Sequence, residues 1–415
     1  PQLFNPTRLC GLSSFEQIFR EKVRCPNRRC SKTDRSRRDR PCDKHAPRLW
    51  NSTRWRSNSQ SCKQLSSSRG HHFERSHGRR ARNDRAKQQA VHGQVSSRIS
   101  LQIMQRKAVV IGSVELDQPV LTASGTAGYG AEFEAYFPLS RLGAVVTKSV
   151  AHFAWPGNAA PRLHPTKSGM LNSVGLQGGG VSSFIEKDLP SLQRANAKVV
   201  VSIWGHSIDD YRLAASMLSQ VRDKIAAIEV NLSCPNLSGD HAIFSHDAKL
   251  SAKVVESCLV ADVPLWAKLS PNTSLLVDVA RAVDSAGAQA LTLVNTALGM
   301  AIDTDTGRPV LGNIRGGLSG SALHPIAVRC IYEVRSALPN AKILGAGGVV
   351  CGRSAAELML AGADAVQVGT ATFADPRAPI KILNQLNKWA DEHAITEWSQ
   401  VTSASHRGGI HSLAK

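Results

Sequence analysis

Eight short runs of β-branched and other apolar residues recur in the C-terminal three quarters of the chain, each ending in small or polar residues. They are PVLTASG (119–125), AVVTKS (144–149), VVVSIWG (199–205), AIEVNLSC (227–234), LWAKLS (265–270), LTLVNT (291–296), KILGAGG (342–348) and AVQVGT (365–370). Helical stretches separate them, and buried strands that alternate with helices pair in parallel. Eight such units over roughly 300 residues predict an α/β fold of the (β/α)8, or TIM barrel, type. An open doubly wound sheet is the alternative, but no run is followed by the dinucleotide-binding glycine pattern in its usual place.

Two further segments have patterns of their own. AVVIGSVEL (108–116) predicts an N-terminal β-hairpin at the bottom of the barrel. GMAIDTDTGRPVLGNIRGGLSGSALHP (299–325) separates the sixth and seventh strands and is rich in Gly and Asp. A connection of that length is uncommon in a compact domain, so we expect it to be a functional lid.

Residues 1–103 have a different composition from the rest of the chain. They contain 24 Lys and Arg against 7 Asp and Glu, a net charge of +17, whereas residues 104–415 have a net charge of +2. Their apolar residues follow neither a helical nor a strand period, and such a segment buries too little apolar surface to offset its chain entropy. We expect a disordered or non-native segment over 1–103 and one folded domain over 104–415, with Met104 as the true start. A basic arm that contacts RNA or anionic lipid is the alternative.

The cysteines and the hydropathy point to a reducing compartment. The folded part contains Cys234, Cys258, Cys330 and Cys351 without short paired spacing, which argues against a disulfide framework or a zinc ribbon. The sequence shows no run of about 18 apolar residues and no apolar signal-peptide region. We expect a cytoplasmic protein that has no contact with membranes and, since the folded part is almost neutral, none with nucleic acid.

The residues at the predicted strand ends indicate the chemistry, because the active site of a TIM barrel lies at the C-terminal ends of its strands. The strand ends carry amides, two lysines, a thiol and paired glycines: Ser124, Gly125, Lys148, Ser149, Asn231, Cys234, Asn236, Lys268, Asn295, Thr296, Gly347, Gly348, Gly369 and Thr370. The loop after the second strand adds Asn172. A carboxylate pair and a cluster with metal-ligand spacing are both missing from this set. That argues against glycosidase chemistry and metal-dependent hydrolysis, and we expect no metal site.

The glycines and one of the lysines suggest a phosphorylated, anionic cofactor. Glycines after the seventh and eighth strands let backbone N–H groups approach a phosphate, which is the usual phosphate site of these barrels. Burial of Lys268 at the end of a central strand is unfavourable without an anion, and the N1 and C2 carbonyl of a reduced flavin would supply one. The alternative is that Lys268 pairs with a structural aspartate.

Cys234 and four asparagines suggest the substrate. Cys234 follows a strand end and stands between Asn231 and Asn236, and a thiol at a polar barrel mouth can lose its proton and then take one from carbon. The alternative is that Cys234 is a small core residue. Together with Asn172 and Asn295, these amides suit a planar molecule edged with N–H and C=O groups, such as a pyrimidine.

On these residues the chain resembles the class 1 dihydroorotate dehydrogenases, most closely the NAD-linked class 1B branch. The matching stretches are TASGTAGYG, KSV, GNAAPRL, MLNSVGLQ, NLSCPN, AKLSPN, LVNTALGM, IRGGLSGSALHP, ILGAGGV and AVQVGTA. They run in order from Thr122 to Ala371, whereas residues 1–103 have no counterpart. One loop departs from the family: after SCPN, class 1B relatives show a Gly-Gly and Phe-Gly pattern, but this chain reads LSGDHAIFSHD.

The resemblance implies a role for each strand-end residue. It makes Cys234 the catalytic base and places Lys148 between the flavin and the substrate. The orotate site it implies consists of Lys148, Asn172, Gly175, Leu176, Asn231, Asn236, Asn295 and Thr296. The FMN site it implies consists of Ser124, Gly125, Lys148, Ser149, Asn231, Lys268 and Val294 at the ring and ribityl parts, and Gly320, Gly347, Gly348, Gly369 and Thr370 at the phosphate.

The reaction implied is the oxidation of (S)-dihydroorotate to orotate in the synthesis of UMP, with FMN as the hydride acceptor. In class 1B relatives the electrons reach NAD through a partner subunit with FAD and a [2Fe–2S] cluster. This chain has too few suitably spaced cysteines to bind a cluster itself, so we expect a separate partner within a heterotetramer, or otherwise a homodimer.

Two other flavin enzymes remain as alternatives. A tRNA-dihydrouridine synthase is also an FMN barrel with a catalytic cysteine, but tRNA binding needs a basic surface that the almost neutral folded part does not suggest. A dihydropyrimidine dehydrogenase-like domain shares the fold and the thiol, but such enzymes carry sets of cluster-binding cysteines that are not found here.

Overall fold

The computed structural model describes residue 106 and residues 108–233 and 244–410. The strands of this part are β1 (Val109–Ile111), β2 (Val114–Leu116), β3 (Val120–Thr122), β4 (Val145–Val146), β5 (Leu163–Thr166), β6 (Gly169–Asn172), β7 (Val199–Ile203), β8 (Ala227–Asn231), β9 (Leu265–Leu269), β10 (Ala290–Leu293), β11 (Ala297–Gly299), β12 (Gly316–Ser319), β13 (Ile343–Ala346) and β14 (Ala365–Val368). Its α-helices are α1 (Gly180–Ser183), α2 (Leu189–Arg194), α3 (Ile208–Leu218), α4 (Ala248–Cys258), α5 (Leu276–Ser285), α6 (His324–Ala337), α7 (Gly352–Ala361), α8 (Ala371–Ala374) and α9 (Ala378–Glu392).

Eight of the strands form one sheet, in the order β3-β14-β13-β10-β9-β8-β7-β4, and all its pairings are parallel. A parallel bridge between Leu121 and Ala144 brings β3 beside β4 and nearly closes the sheet into a barrel. All eight strands predicted from the sequence are present, so the TIM barrel is confirmed over the open-sheet alternative. Every residue of β7, β8 and β9 is buried, as expected for strands with side chains inside on one face and helices outside on the other.

The helices cover the outside of the barrel with one apolar face each. In α5 the buried residues are Leu276, Val279, Ala280 and Val283, which follow the helical spacing of three and four residues. α3 is capped at its N-terminus by Ser207, whose hydroxyl accepts a hydrogen bond from the Asp210 N–H.

The predicted N-terminal hairpin is also confirmed, since β1 pairs antiparallel with β2. Gly112 at its turn has φ +61°, and a Cβ there would lie 2.6 Å from the side chain of Gln289. Gln289 directly precedes β10 and accepts hydrogen bonds from both the N–H and the hydroxyl of Ser113. The hairpin therefore contacts the N-terminal end of a barrel strand, opposite to the strand ends that carry the candidate site.

A second sheet links two connections that are far apart in sequence. It is antiparallel, in the order β11-β12-β6-β5, and pairs Asn172 with Gly317. β12 lies within the 299–325 connection, so part of that segment is an ordered sheet rather than loop alone. Asn172, expected on a loop after the second strand, is in fact the last residue of β6.

Candidate functional site

Hydroxyl groups connect the ends of three neighbouring barrel strands. The Ser124 Oγ, after β3, lies 3.2 Å from the Ser149 Oγ, after β4, which lies 2.8 Å from the Ser202 Oγ in β7. Gly125, next to Ser124, has φ +82°, and a Cβ at this position would have no atom within 4 Å. The structure thus brings the predicted residues Ser124, Gly125 and Ser149 together beside open space.

Asn231 and Asn295 are directly hydrogen-bonded. The Asn231 Oδ1 accepts from the Asn295 Nδ2 at 3.1 Å and from the Ser233 N–H at 3.2 Å. The Asn295 Oδ1 accepts from the Thr296 N–H at 2.8 Å. These bonds fix the orientation of both amides, and they place Asn231, Asn295 and Thr296 in one cluster at the ends of β8 and β10.

The small sheet brings Asn172 to the same cluster. The Asn172 Nδ2 donates to the Gly317 carbonyl at 3.2 Å. A Cβ on Gly317 would lie 2.0 Å from the Thr296 Oγ1, so only glycine allows β12 to approach Thr296 this closely. Three of the four predicted amides, those of Asn172, Asn231 and Asn295, therefore surround one region.

Gly175 and Leu176, the next two predicted substrate residues, follow this sheet in left-handed backbone conformations. Gly175 has φ +73°, and a Cβ there would lie 2.5 Å from the backbone N of Asn158. Leu176 has φ +58°, and its side chain packs against the buried pair Ala151 and Trp204. Leu176 is thereby fixed against residues that follow β4 and β7.

Asn272 belongs to the AKLSPN stretch but was not predicted as a site residue. Its Nδ2 donates to the Ser270 Oγ at 2.9 Å and to the Thr296 carbonyl at 3.0 Å, while its Oδ1 accepts from the Leu298 N–H at 2.8 Å. Asn272 therefore joins the end of β9 to the segment after β10. A polar residue shortly after a strand end is the signal that could have identified it.

Lys148 is half-buried at the end of β4. Burial lowers the pKa of its ammonium group, and the nearby positive charge of Arg162 lowers it further. Within the described part of the chain, no hydrogen bond or ion pair involves this ammonium group. A cation that has no partner among the described residues of a polar mouth is suited to bind an anionic ligand.

Lys268 lies deeper, inside the barrel, and is 5 % exposed. Its Nζ is 3.4 Å from the Oε1 of Glu229, a residue of β8 that is completely buried. A carboxylate partner was the alternative considered for Lys268, and the structure supplies one, although it is a glutamate and not an aspartate.

Glycines line the ends of β13 and β14. Gly347 and Gly348 have φ of +132° and +65°, and a Cβ on Gly348 would lie 2.9 Å from the carbonyl oxygen of Gly320. Among the described residues, no backbone hydrogen bond outside the helices and strands uses the N–H groups of Gly348, Gly369 and Thr370. Backbone N–H groups exposed in this way can bind a phosphate. Val294, at 3 % exposed, uses its N–H to bond the Ala346 carbonyl and so links the ends of β10 and β13.

Comparison with known proteins identifies the family. The family model described as dihydroorotate dehydrogenase matches residues 107–389. The chain belongs to the dihydroorotate dehydrogenase family. It is 43% identical over 298 residues to a protein of Trichlorobacter lovleyi, and the match covers 72% of this chain and 97% of the relative. It is 42% identical over 294 residues to a protein of Alkaliphilus metalliredigens, and the match covers 71% of this chain and 96% of that relative. A protein of Bacteroides thetaiotaomicron is 40% identical to the chain over 298 residues, and the match covers 72% of this chain and 98% of that relative.

All three relatives bear the name dihydroorotate dehydrogenase B (NAD(+)), catalytic subunit. The predicted resemblance to the class 1B branch is thus confirmed. The comparisons favour the dihydroorotate dehydrogenase interpretation over the tRNA-dihydrouridine synthase and dihydropyrimidine dehydrogenase alternatives.

Enzymes of the dihydroorotate dehydrogenase family depend on FMN, and the residues at this barrel mouth fit that cofactor. The N–H groups after β13 and β14 suit its phosphate, and the open space beside Gly125 leaves room for a bound group. The amides and the two lysines provide polar and cationic partners for the edge of a flavin ring. The described residues contain no group of three or more His, Cys, Asp or Glu that could hold a metal ion.

We expect Gly348→Ala to weaken FMN binding by roughly tenfold, because a side chain at φ +65° is strained and its Cβ would lie 2.6 Å from the Cβ of His324. The dissociation constant can be measured from the quenching of flavin fluorescence. Gly307→Ala is the matched control. Gly307 has a similar φ of +67°, but a Cβ at this position would have no atom within 4 Å. Equal FMN affinities for the two variants would contradict the proposed phosphate site.

Cys234 and Asn236 lie outside the described residues, so their predicted roles stay predictions. Of the other thiols in the folded part, Cys258 is fully buried, and this burial raises its pKa to about 12. Burial also raises the pKa of Cys330. Burial opposes ionisation of Cys351 as well, but hydrogen bonds with Ser354 and Arg353 lower its pKa overall. Cys351 is therefore the thiol against which a role for Cys234 has to be tested.

Proposed function

We propose that this chain is the catalytic subunit that oxidises dihydroorotate to orotate for pyrimidine synthesis. The hydrogen-bonded cluster of Asn231, Asn295 and Thr296 at the barrel mouth carries this proposal, together with membership of the family. The two amides present fixed donors and acceptors, as recognition of a pyrimidine ring edged with N–H and C=O groups requires.

The residues of the chain divide the work of binding and proton transfer. Asn172, Asn231, Asn295 and Thr296 orient the pyrimidine, while the Lys148 ammonium offers a positive charge to the anionic substrate. Cys234, as thiolate, accepts the proton from C5 of dihydroorotate. When bound, FMN supplies the two-electron acceptor that takes the hydride from C6, and the protein contributes orientation and electrostatics.

We further propose that the electrons pass to NAD through a separate subunit with FAD and a [2Fe–2S] cluster, in a cytoplasmic heterotetramer. The relatives' name, a catalytic subunit linked to NAD, supports a partner. Cys258, Cys330 and Cys351 are free thiols, which suits a reducing compartment. No helix in the described ranges is long and apolar enough to cross a membrane.

The acceptor can be identified by reoxidation. Protein reduced with dihydroorotate is mixed with NAD plus a purified FAD/[2Fe–2S] subunit of the class 1B type, with fumarate, or with a quinone. We expect NAD to reoxidise the reduced protein rapidly only when the partner subunit is present. Faster reoxidation by fumarate or quinone would refute the NAD-linked proposal, but it would leave the oxidation of dihydroorotate intact.

We also propose that residues 104–415 form the catalytic domain without residues 1–103. Arg106 is already part of the folded body: it donates to the Ile395 carbonyl and to the Asn387 Oδ1, and its guanidinium lies 5.2 Å from the ring centroid of Trp398. A chain that begins at Met104 should therefore match the full chain in melting temperature, FMN content and turnover. Loss of FMN binding on truncation would show that residues 1–103 contribute to the domain.

A further inference from the structure

A carboxylate group lies inside the barrel, below the strand ends that carry the candidate site. Glu229 of β8 is completely buried. Its Oε2 accepts hydrogen bonds from the Gln367 Nε2 at 2.7 Å and the Thr292 Oγ1 at 3.1 Å, and its Oε1 faces the Lys268 Nζ at 3.4 Å. The partners come from β14, β10 and β9, so four strands contribute to one polar cluster in the barrel interior.

Packing alone does not account for such a cluster. A buried ion pair contributes little net stability, because desolvation of both charges offsets their attraction, and apolar residues of similar size are often as stable. Removal of one partner is unfavourable, since the other charge is then buried without compensation. Stability is therefore a weak explanation of the pair, and the position of Lys268 is what relates it to the candidate site.

The register of the strands relates the pair to the candidate site. Lys268 of β9 pairs with Asn231 of β8, one of the amides in the cluster at the mouth. Glu229 precedes Asn231 by two residues, so both side chains point to the same face of the sheet, with Glu229 one layer deeper. Lys268 thus lies beside the amide cluster on its inner side, and Glu229 lies beneath it as a counter-charge.

We propose that Glu229 is a positioning residue that holds the ammonium group of Lys268 at the flavin. A cation held at this point stabilises the negative charge of the reduced flavin. Without the Glu229 carboxylate, the buried ammonium group would lose the partner that fixes its position. Glu229 would thereby set the reduction potential of the bound flavin without contacting it. This inference rests on FMN binding from the proposed function, but it does not depend on the substrate.

The test is the midpoint potential of the bound flavin in Glu229→Gln, measured by spectroelectrochemistry without dihydroorotate. We expect the equilibrium constant for flavin reduction to fall roughly 10- to 100-fold, the value of a hydrogen bond from a charged group. For a two-electron couple this corresponds to a potential about 30–60 mV lower. Lys268→Met should shift the potential in the same direction. Because substrate is absent, failure of this test would leave the oxidation of dihydroorotate untouched.

Asp364→Asn is the matched control. Asp364 also pairs with a buried cation, Arg335, at 2.9 Å, but it directly precedes β14, at the opposite end of the barrel from the site. This variant should lose stability and keep the wild-type potential. The double variant Glu229→Gln with Lys268→Met should show a smaller shift than the sum of the two single shifts, since residues that act through one interaction are not additive.

Two values of the flavin potential would overturn the proposal. An unchanged potential in Glu229→Gln would show that Lys268 keeps its position unaided, and a raised potential would show that the negative charge of Glu229 only opposes flavin reduction. If Glu229→Gln fails to retain flavin, the proposal is tested by comparing the melting temperatures of Glu229→Gln and of the double variant. The double variant should then be the more stable of the two, because it leaves no unpaired buried charge, and a double variant of equal or lower stability would contradict the pairing.

Discussion

Cys234→Ala should reduce the rate of flavin reduction by dihydroorotate by roughly 10²–10⁴-fold, the usual contribution of a positioned acid–base group. Stopped-flow absorbance of the flavin under anaerobic conditions measures this half-reaction directly. The variant should still bind orotate, because the amide cluster and Lys148 supply most of the recognition. A rate equal to that of the wild type would end the proposal that Cys234 is the base.

The dependence on pH distinguishes a base from a packing residue. Only the thiolate accepts a proton, and an ordinary thiol has a pKa of about 8.5, so the wild-type rate should rise as pH increases through the pKa of Cys234. Cys234→Ser should retain a little activity, mainly at high pH, because a hydroxyl is a much weaker acid. Cys351→Ala is the control, since hydrogen bonds lower the pKa of that thiol too, and this variant should keep the wild-type profile.

Lys148→Met should weaken orotate binding by roughly 10- to 100-fold, because a hydrogen bond to a charged group contributes about 1.5–3 kcal/mol. Methionine has a similar length and flexibility, so the change removes the charge and little of the volume. Titration of the flavin spectrum with orotate gives the dissociation constant. Lys198→Met is the matched control, because Lys198 directly precedes β7 at the opposite end of the barrel and donates to the Glu115 carbonyl there.

The lowered pKa of Lys148 gives this prediction a pH dependence. Burial and Arg162 both disfavour the protonated amine, so the positive charge is lost at a lower pH than for an ordinary lysine. Orotate affinity of the wild type should therefore fall as the pH rises through the lowered pKa of Lys148. The affinity of Lys148→Met should lack that fall. The same alkaline fall in wild type and variant would assign the titration to another group.

The barrel and most of its mouth could be predicted because their signals are local. Each buried strand is a short apolar run, and in a parallel barrel the C-terminal ends of all strands meet on one side, so Asn231, Asn295 and Lys148 follow from strand positions alone. The glycines after β13 and β14 follow in the same way.

The rest depends on contacts between distant segments. The strands of the small sheet are three or four residues long and show no clear alternation, and the pairing of Asn172 with Gly317 joins residues of two separate connections. The partners of Glu229 are likewise distant, with Thr292 63 and Gln367 138 residues away in sequence. No periodic pattern marks such pairs, so the anchoring of Lys268 emerges only from the fold.

Anaerobic titration of the purified flavoprotein with dihydroorotate tests the central claim most directly. The flavin absorbance should bleach completely, and one orotate should form for each FMN reduced, because each substrate molecule delivers two electrons. Flavin that stays oxidised in excess dihydroorotate, yet bleaches with dithionite, would contradict the assignment of this barrel as a dihydroorotate-oxidising enzyme.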